Sequence, residues 1–267
     1  MKKTILPALA MLIVAAVMLS TASYAWFAIS SNVTAEGMNV TIKSESEYLL
    51  IMPVALDFEA PEADTQEYQN VLTQIRTTNK YTATGTTTDS TDIYPAAHEA
   101  DLTAADFATI GNWYTALGAK ASESTIKENS KTVLTTYDKY VVRYKYLVSM
   151  AQGSTAKTGL WINSVDITSK DGLTQNQTIN PVKVVVVCGD KFYECGYSND
   201  GVKTPLPGGG QAGLFTGAIN ENVFYEIDVY VYYDGNHKDV FTDNFVNIDS
   251  AMISVSFTTT DPAAQQN

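Results

Sequence analysis

Apolar and polar positions alternate along much of this chain with the two-residue period of a β-strand. Val223 to Tyr233 (VFYEIDVYVYY) shows it most strongly, and Tyr140 to Met150 (YVVRYKYLVSM), Leu160 to Ile167 (LWINSVDI) and Met252 to Phe257 (MISVSF) repeat it. Val182 to Val187 is nearly continuous valine instead, the pattern of a strand buried on both faces. Turn residues punctuate these runs at Gln152 to Gly159 and at Gly189-Asp190, after which Phe192, Tyr193 and Cys195 begin another. Toward the other end, Met38, Val40 and Ile42 alternate with Asn39, Thr41 and Lys43 as a half-buried strand does. Tyr48 to Phe58 (YLLIMPVALDF) is a further apolar run, and its Pro53 assigns it to a sheet edge or a break.

Two segments switch to the helical period. After Pro61, Tyr68, Val71, Leu72 and Ile75 share one face of a short amphipathic helix. From Thr103, with Thr103 as N-cap and Asp106 completing a carboxylate capping box, a second helix buries Phe107, Ile110, Trp113 or Tyr114, and Leu117, and stops at Gly118. Thr77 to Asp92, Ala119 to Lys131 and Ser198 to Gly213 are polar or glycine-rich and read as loops. Neither helix buries its stripe without a sheet beneath it, so residues 59–131 are an insertion rather than a second domain. The expected fold is mainly β: a single β-sandwich, specifically a jelly roll, over residues 37–258, carrying a two-helix insertion and followed by a polar tail at 259–267.

A different pattern precedes the first strand. Lys2 and Lys3 are followed by the apolar run Ile5 to Leu19, and no charged residue occurs between Lys3 and Glu36. This order is that of a secretory signal peptide, and Ser23 and Ala25 stand at the −3 and −1 positions of a small-x-small cleavage site that would make Trp26 the new N-terminus. Left uncut, residues 5–25 are also apolar enough for a membrane anchor helix, with the two lysines on the cytoplasmic side. Either way the chain is exported. Trp26-Phe27-Ala28-Ile29 is then too apolar for a free tail, and it is joined to the first strand by the polar spacer Ser30 to Gly37. Three readings of Trp26 to Val33 are open: a first strand of its own fold, the last turns of a membrane helix, or a strand donated to a neighbouring subunit.

An alanine followed by aromatic residues at the end of a hydrophobic segment, a polar spacer, a glycine and then an alternating strand resembles the start of TasA/camelysin-type exported proteins of Gram-positive bacteria. The later half adds to the resemblance. There a tyrosine-rich strand, a strand like LWINSVDI, a valine-rich strand, an aromatic strand, the Gly/Asp loop Asp234 to Asn244 and a closing Ile/Val/Phe strand follow in the order of clostridial relatives. The resemblance covers both ends and most of the second half, but not Glu59 to Lys131. It implies a structural protein of the cell surface or biofilm matrix whose partner is a further copy of itself. In this reading Trp26, Phe27, Ile29 and Val33 act as the donated strand. Because donor and acceptor sites differ, such a contact propagates into a fibre. The alternative is a membrane-tethered, monomeric adhesin or ligand-binding module, and a camelysin-like protease is a minor one.

Charge and chemistry narrow these choices. The 267 residues carry 29 acidic and 17 basic side chains, a net charge of −12, which argues against nucleic acid as a partner. Camelysin-type relatives imply zinc, yet the two histidines, His98 and His237, lie in different segments and form no HExxH pair. Acidic and amide residues of Asp234 to Asn244 do not have the spacing of a calcium loop. No catalytic residue, metal site or cofactor is assigned, and the expectation is a protein that is not an enzyme. Cys188 and Cys195 are the two cysteines. In an exported chain they form either a cross-strand disulfide or a pair of buried thiols.

Overall fold

The computed structural model describes residues 39–44, 49–78, 82–85, 94–99, 101–115, 132–169, 180–198, 214, 218–238, 240 and 251–260. All of them fall within the unit Glu36–Asn267. The protein is mainly β, with three sheets among the described residues. In chain order the elements are β1 (Asn39–Ser44), β2 (Leu49–Val54), α1 (Gln66–Thr78), β3 (Thr82–Gly85), β4 (Ala96–His98), β5 (Trp113–Thr115), β6 (Thr132–Val133), β7 (Val141–Met150), β8 (Trp161–Ser169), β9 (Val182–Cys188), β10 (Lys191–Gly196), β11 (Phe224–Tyr233) and β12 (Ala251–Thr258). A four-stranded sheet runs β3-β1-β12-β8, a five-stranded sheet β10-β9-β11-β7-β2, and a small sheet β4-β5-β6.

The period-2 pattern explains the main core. From the four-stranded sheet, Val40, Ile42, Val165, Ile167, Ile253, Val255 and Phe257 enter one apolar cluster. From the five-stranded sheet, Leu49, Ile51, Tyr146, Val148, Val184, Val186, Val229 and Val231 enter the same cluster. Each fully buried side chain of this kind contributes about 1.5–3 kcal/mol by leaving water. β1 and β12 run parallel, with Val40 opposite Ile253 and Ile42 opposite Val255. The other described pairs in both large sheets are antiparallel. β12 shifts register against β8 between Ser256 and Phe257, so Ser256 faces Ser164 while Phe257 faces Ile162.

β2 lies at the end of the five-stranded sheet, and its Pro53 is exposed, as a residue with no N–H to donate requires. The valine run of β9 is buried on both faces, as its sequence predicts: Val184 and Val186 point into the main core, while Val185 and Val187 pack on the other side.

The insertion departs from expectation in three respects. α1 forms with the anticipated face, Leu72 and Ile75 being buried, but it starts at Gln66, where the Thr65 hydroxyl accepts the Tyr68 N–H at 3.2 Å. The anticipated second α-helix is instead two 3-10 turns, Ala104–Ala108 and Ile110–Asn112, and Trp113 enters β5. Its start is capped as expected, the Asp106 carboxylate accepting the Thr103 N–H at 2.7 Å. The reason it does not continue lies in its carbonyls. The Phe107 carbonyl accepts the Trp113 indole N–H at 3.0 Å and the Tyr137 hydroxyl at 3.1 Å, and the Asp106 carbonyl accepts the Asn112 amide at 3.0 Å. Those acceptors are the ones an α-helix commits to N–H groups four residues on. Third, the stretch read as one exposed loop, Thr77 to Asp92, contributes the end of α1 and β3, which pairs antiparallel with β1. The two-helix insertion is therefore corrected, among the described residues, to one α-helix, two 3-10 turns and a small sheet.

Candidate functional site

The outward face of the five-stranded sheet is apolar as well, and two lids cover it. At one end α1 lays Leu72 and Ile75 on Leu50, Met52, Leu147 and Phe224. Tyr68 stacks on Phe224 with ring centroids 4.4 Å apart, and its hydroxyl accepts the Phe224 N–H at 3.2 Å. Arg76, in the last turn, donates to the Glu221 carbonyl at 2.5 Å. At the other end Phe107 and Trp113 pack on Val185, Val187, Tyr230 and Tyr232. Between the lids lies a cleft of about 780 Å³, with Tyr68 and Ala60 on one wall, Ala104 and Ala108 on the other, and Glu226 and Asp228 among its lining.

Glu226 and Asp228, on the wall of that cleft, belong to a charged cluster. Period 2 puts Lys145 of β7 and Glu226 and Asp228 of β11 on the same face, and antiparallel pairing sets Asp228 directly opposite Lys145. The Lys145 ammonium is 3.1 Å from Glu226 Oε2 and 3.9 Å from Asp228 Oδ1. It also donates to the Phe58 carbonyl at 3.0 Å. Burial raises the Asp228 pKa from its ordinary value despite the opposing pull of Lys145 and Arg143, and the neighbouring Glu226 charge adds to the rise. Arg143, two residues from Lys145, lies 4.0 Å over the Tyr137 ring.

A second polar cluster fastens the small sheet to β10. His98 Nδ1 lies 2.7 Å from the Glu99 carbonyl, and its Nε2 lies 3.4 Å from Glu194 Oε2. Tyr232 donates its hydroxyl to Glu194 Oε1 at 2.7 Å. A carbonyl accepts only, so Nδ1 carries a proton; a carboxylate facing Nε2 calls for a second, and the arrangement suits the imidazolium. Burial opposes that charge, but the Glu194 hydrogen bond, the Glu99 carbonyl and the Glu194 and Asp234 charges leave the His98 pKa raised. Burial likewise opposes the Glu194 charge, and the His98 and Tyr232 hydrogen bonds leave its pKa lowered. Phe107, Trp113 and Tyr232 surround the imidazole at ring-centroid distances of 5.1, 5.4 and 5.7 Å.

The residues singled out in the sequence fare differently. Ser23, Ala25, Trp26, Phe27, Ile29 and Val33 lie outside the described residues. Cys188 and Cys195 are both buried free thiols, which corrects the disulfide. The hairpin register explains why: Lys191 faces Cys188 and Val184 faces Cys195, so the two lie four residues apart along the ladder. That is about 13 Å at a strand's rise, beyond the reach of an S–S bridge. Burial, aided by the Asp228, Asp190 and Glu226 charges, pushes the Cys188 thiol up to about 12, so it is no nucleophile near neutral pH. Among the described residues no three His, Cys, Asp or Glu side chains gather as metal ligands, and no helix is long and apolar enough to cross a membrane.

Sequence reasoning missed Lys145, Glu226, Asp228 and Glu194 as site residues. A signal for the first three was present, since Lys145 and the Glu226/Asp228 pair interrupt two strongly apolar strands on one face. What the sequence does not contain is the register that brings them together.

Compared with known proteins, the chain matches no family model and no curated protein. A solved structure described as AvmM, which catalyses macrocyclization in alchivemycin A biosynthesis, matches 44% of this chain and 78% of its own length at 9% identity and a TM-score of 0.22. That likeness is too slight to bear on fold or function.

Proposed function

We propose that this chain is an exported structural protein of a Gram-positive cell surface or extracellular matrix, a fibre subunit that assembles with copies of itself by strand donation from Trp26 to Val33. The observation that carries the reading is the uncharged apolar run ending at Ser23-Tyr24-Ala25, followed at once by Trp26-Phe27-Ala28-Ile29 and a polar spacer. Residues 5–25 serve as signal peptide or, uncut, as membrane anchor. The body is read as a jelly-roll β-sandwich. In support, both large sheets feed one core, and the chain passes from one sheet to the other between β1 and β2, β7 and β8, β8 and β9, and β11 and β12. β1 already occupies the place beside β12, so the apolar segment ahead of it is not needed to complete that pair. A donated strand gains affinity from backbone hydrogen bonds and specificity from alternate side chains.

Deleting Trp26 to Val33 tests the proposal. The deletion variant is expected to fold and sediment as a monomer, while the full chain recovered from the cell surface forms high-mass material. Full-length protein that remains monomeric at the same concentration overturns the reading. A second reading, a membrane-tethered ligand-binding module, is favoured by the cleft between the two lids. It predicts an uncut chain confined to membranes.

A further inference from the structure

The Lys145 cluster has more carboxylate than it can neutralise. Glu226 and Asp228 project from the same face of β11, two residues apart, toward one ammonium whose remaining contact is a carbonyl. Arg143 faces Tyr230 in the ladder and lies over the Tyr137 ring, and its charge acts on Asp228 less than that of Lys145 does. The nearer carboxylate, Glu226, satisfies Lys145 as an ion pair at 3.1 Å. Asp228, directly across the ladder with its oxygen at 3.9 Å, is left as a second acid in a desolvated place. The side chain of Lys145 is 15% exposed and that of Asp228 30%, so both are held close with limited access to water.

The geometry points to an intramolecular isopeptide bond between Lys145 Nζ and Asp228 Cγ, formed spontaneously with Glu226 as the proton shuttle. Glu226 takes a proton from the Lys145 ammonium, freeing the Nζ lone pair. Nζ attacks the Asp228 carboxyl carbon, whose carboxyl is in its protonated form. Glu226 then passes its proton to the departing hydroxyl, the Cγ–O bond breaks, one water leaves, and Glu226 takes up the second Nζ proton as the neutral amide forms. The sum is ammonium plus carboxylic acid giving amide, water and one proton, which ends on Glu226, so no oxidant, metal or activated ester is required. Burial raises the Asp228 pKa, which makes its neutral form easier to reach than that of an exposed carboxyl. Strand pairing holds Lys145 Nζ 3.9 Å from Asp228 Oδ1, which replaces a bimolecular encounter with a positioned one. The product ties β7 to β11, the central strand of the five-stranded sheet, by a covalent bond that stays closed when the fold is pulled. This inference stands apart from the strand-donation reading and survives its failure.

Intact-mass spectrometry of the full-length purified protein decides the matter, followed by a tryptic map. The expected result is a chain lighter by one water than its sequence, with no cleavage after Lys145 and a branched fragment joining the peptides that contain Lys145 and Asp228. Lys145→Arg and Glu226→Ala are expected to return the full mass. A wild-type chain at full mass and cut after Lys145 overturns the proposal whatever the variants do. A water loss that maps to another residue overturns it equally.

Discussion

The outer faces of the two large sheets differ more than their inner faces do. On the four-stranded sheet, Ser164, Asp166, Thr168 and Ser254 alternate with the buried positions, and Met252 is 43% exposed. On the five-stranded sheet, the outward positions Leu147, Val185 and Tyr232 are as buried as the inward ones, at 0, 0 and 2% exposure. The first sheet meets the strict alternation of a strand with one wet face; the second is the middle layer of a stack, with α1 and the small sheet laid over it. Chemistry follows the same division. Lys145, Glu226, Asp228, Glu194 and His98 all belong to the covered face or its lids, where desolvation shifts ionisation and fixes partners.

Substitutions sharpen the contrast in order of size. Trp113→Ala removes a fully buried side chain and its bond to the Phe107 carbonyl. It is expected to cost about 3–5 kcal/mol, read as a lowered midpoint in chemical denaturation. Leu72→Ala, under α1 and 0% exposed, is expected to cost about 2–5 kcal/mol and to release α1, seen as lost helical ellipticity ahead of the main transition. An intact helix signal up to that transition would break the picture of α1 as a lid.

A smaller effect is expected from pH. The raised His98 pKa gives stability that is fully present below its ordinary value of 6.5 and is lost as pH rises through the folded value. The lowered Glu194 pKa gives stability present above 4.5 and lost as pH falls through its folded value. The fastening of the small sheet is therefore strongest between about pH 4.5 and 6.5. Thermal midpoints of the wild type measured across that window, set against those of Glu194→Gln, are expected to differ most inside it and to converge above it. Smallest of all, Met252→Ser on the four-stranded sheet is expected to change stability by less than about 0.5 kcal/mol, whereas the same kind of exchange at Leu147 is not tolerated.

Much of the strand layout was legible in the sequence because its cause is local. The runs at Val223 to Tyr233, Tyr140 to Met150 and Val182 to Val187 carry their own period, and Pro53 announces an edge. The valines of β9 also show that both of its faces are covered. The second helix was misread for a non-local reason: the carbonyls that decide it are taken by the side chains of Trp113, Tyr137 and Asn112, which amphipathic spacing does not reveal. The disulfide was misread by register, since a two-residue turn at Gly189-Asp190 sets Cys188 opposite Lys191. His98 was dismissed for lacking a local metal partner, and its partner is Glu194, far along the chain.

The most direct test of the two-layer account is native-state thiol alkylation of two single variants, Val185→Cys and Met252→Cys. Both natural cysteines are buried, so the wild type gives a low background. The account predicts rapid labelling at position 252 and protection at position 185 until the protein is unfolded. Equal, rapid labelling at both positions would mean that the lids do not cover the five-stranded sheet, and would contradict it.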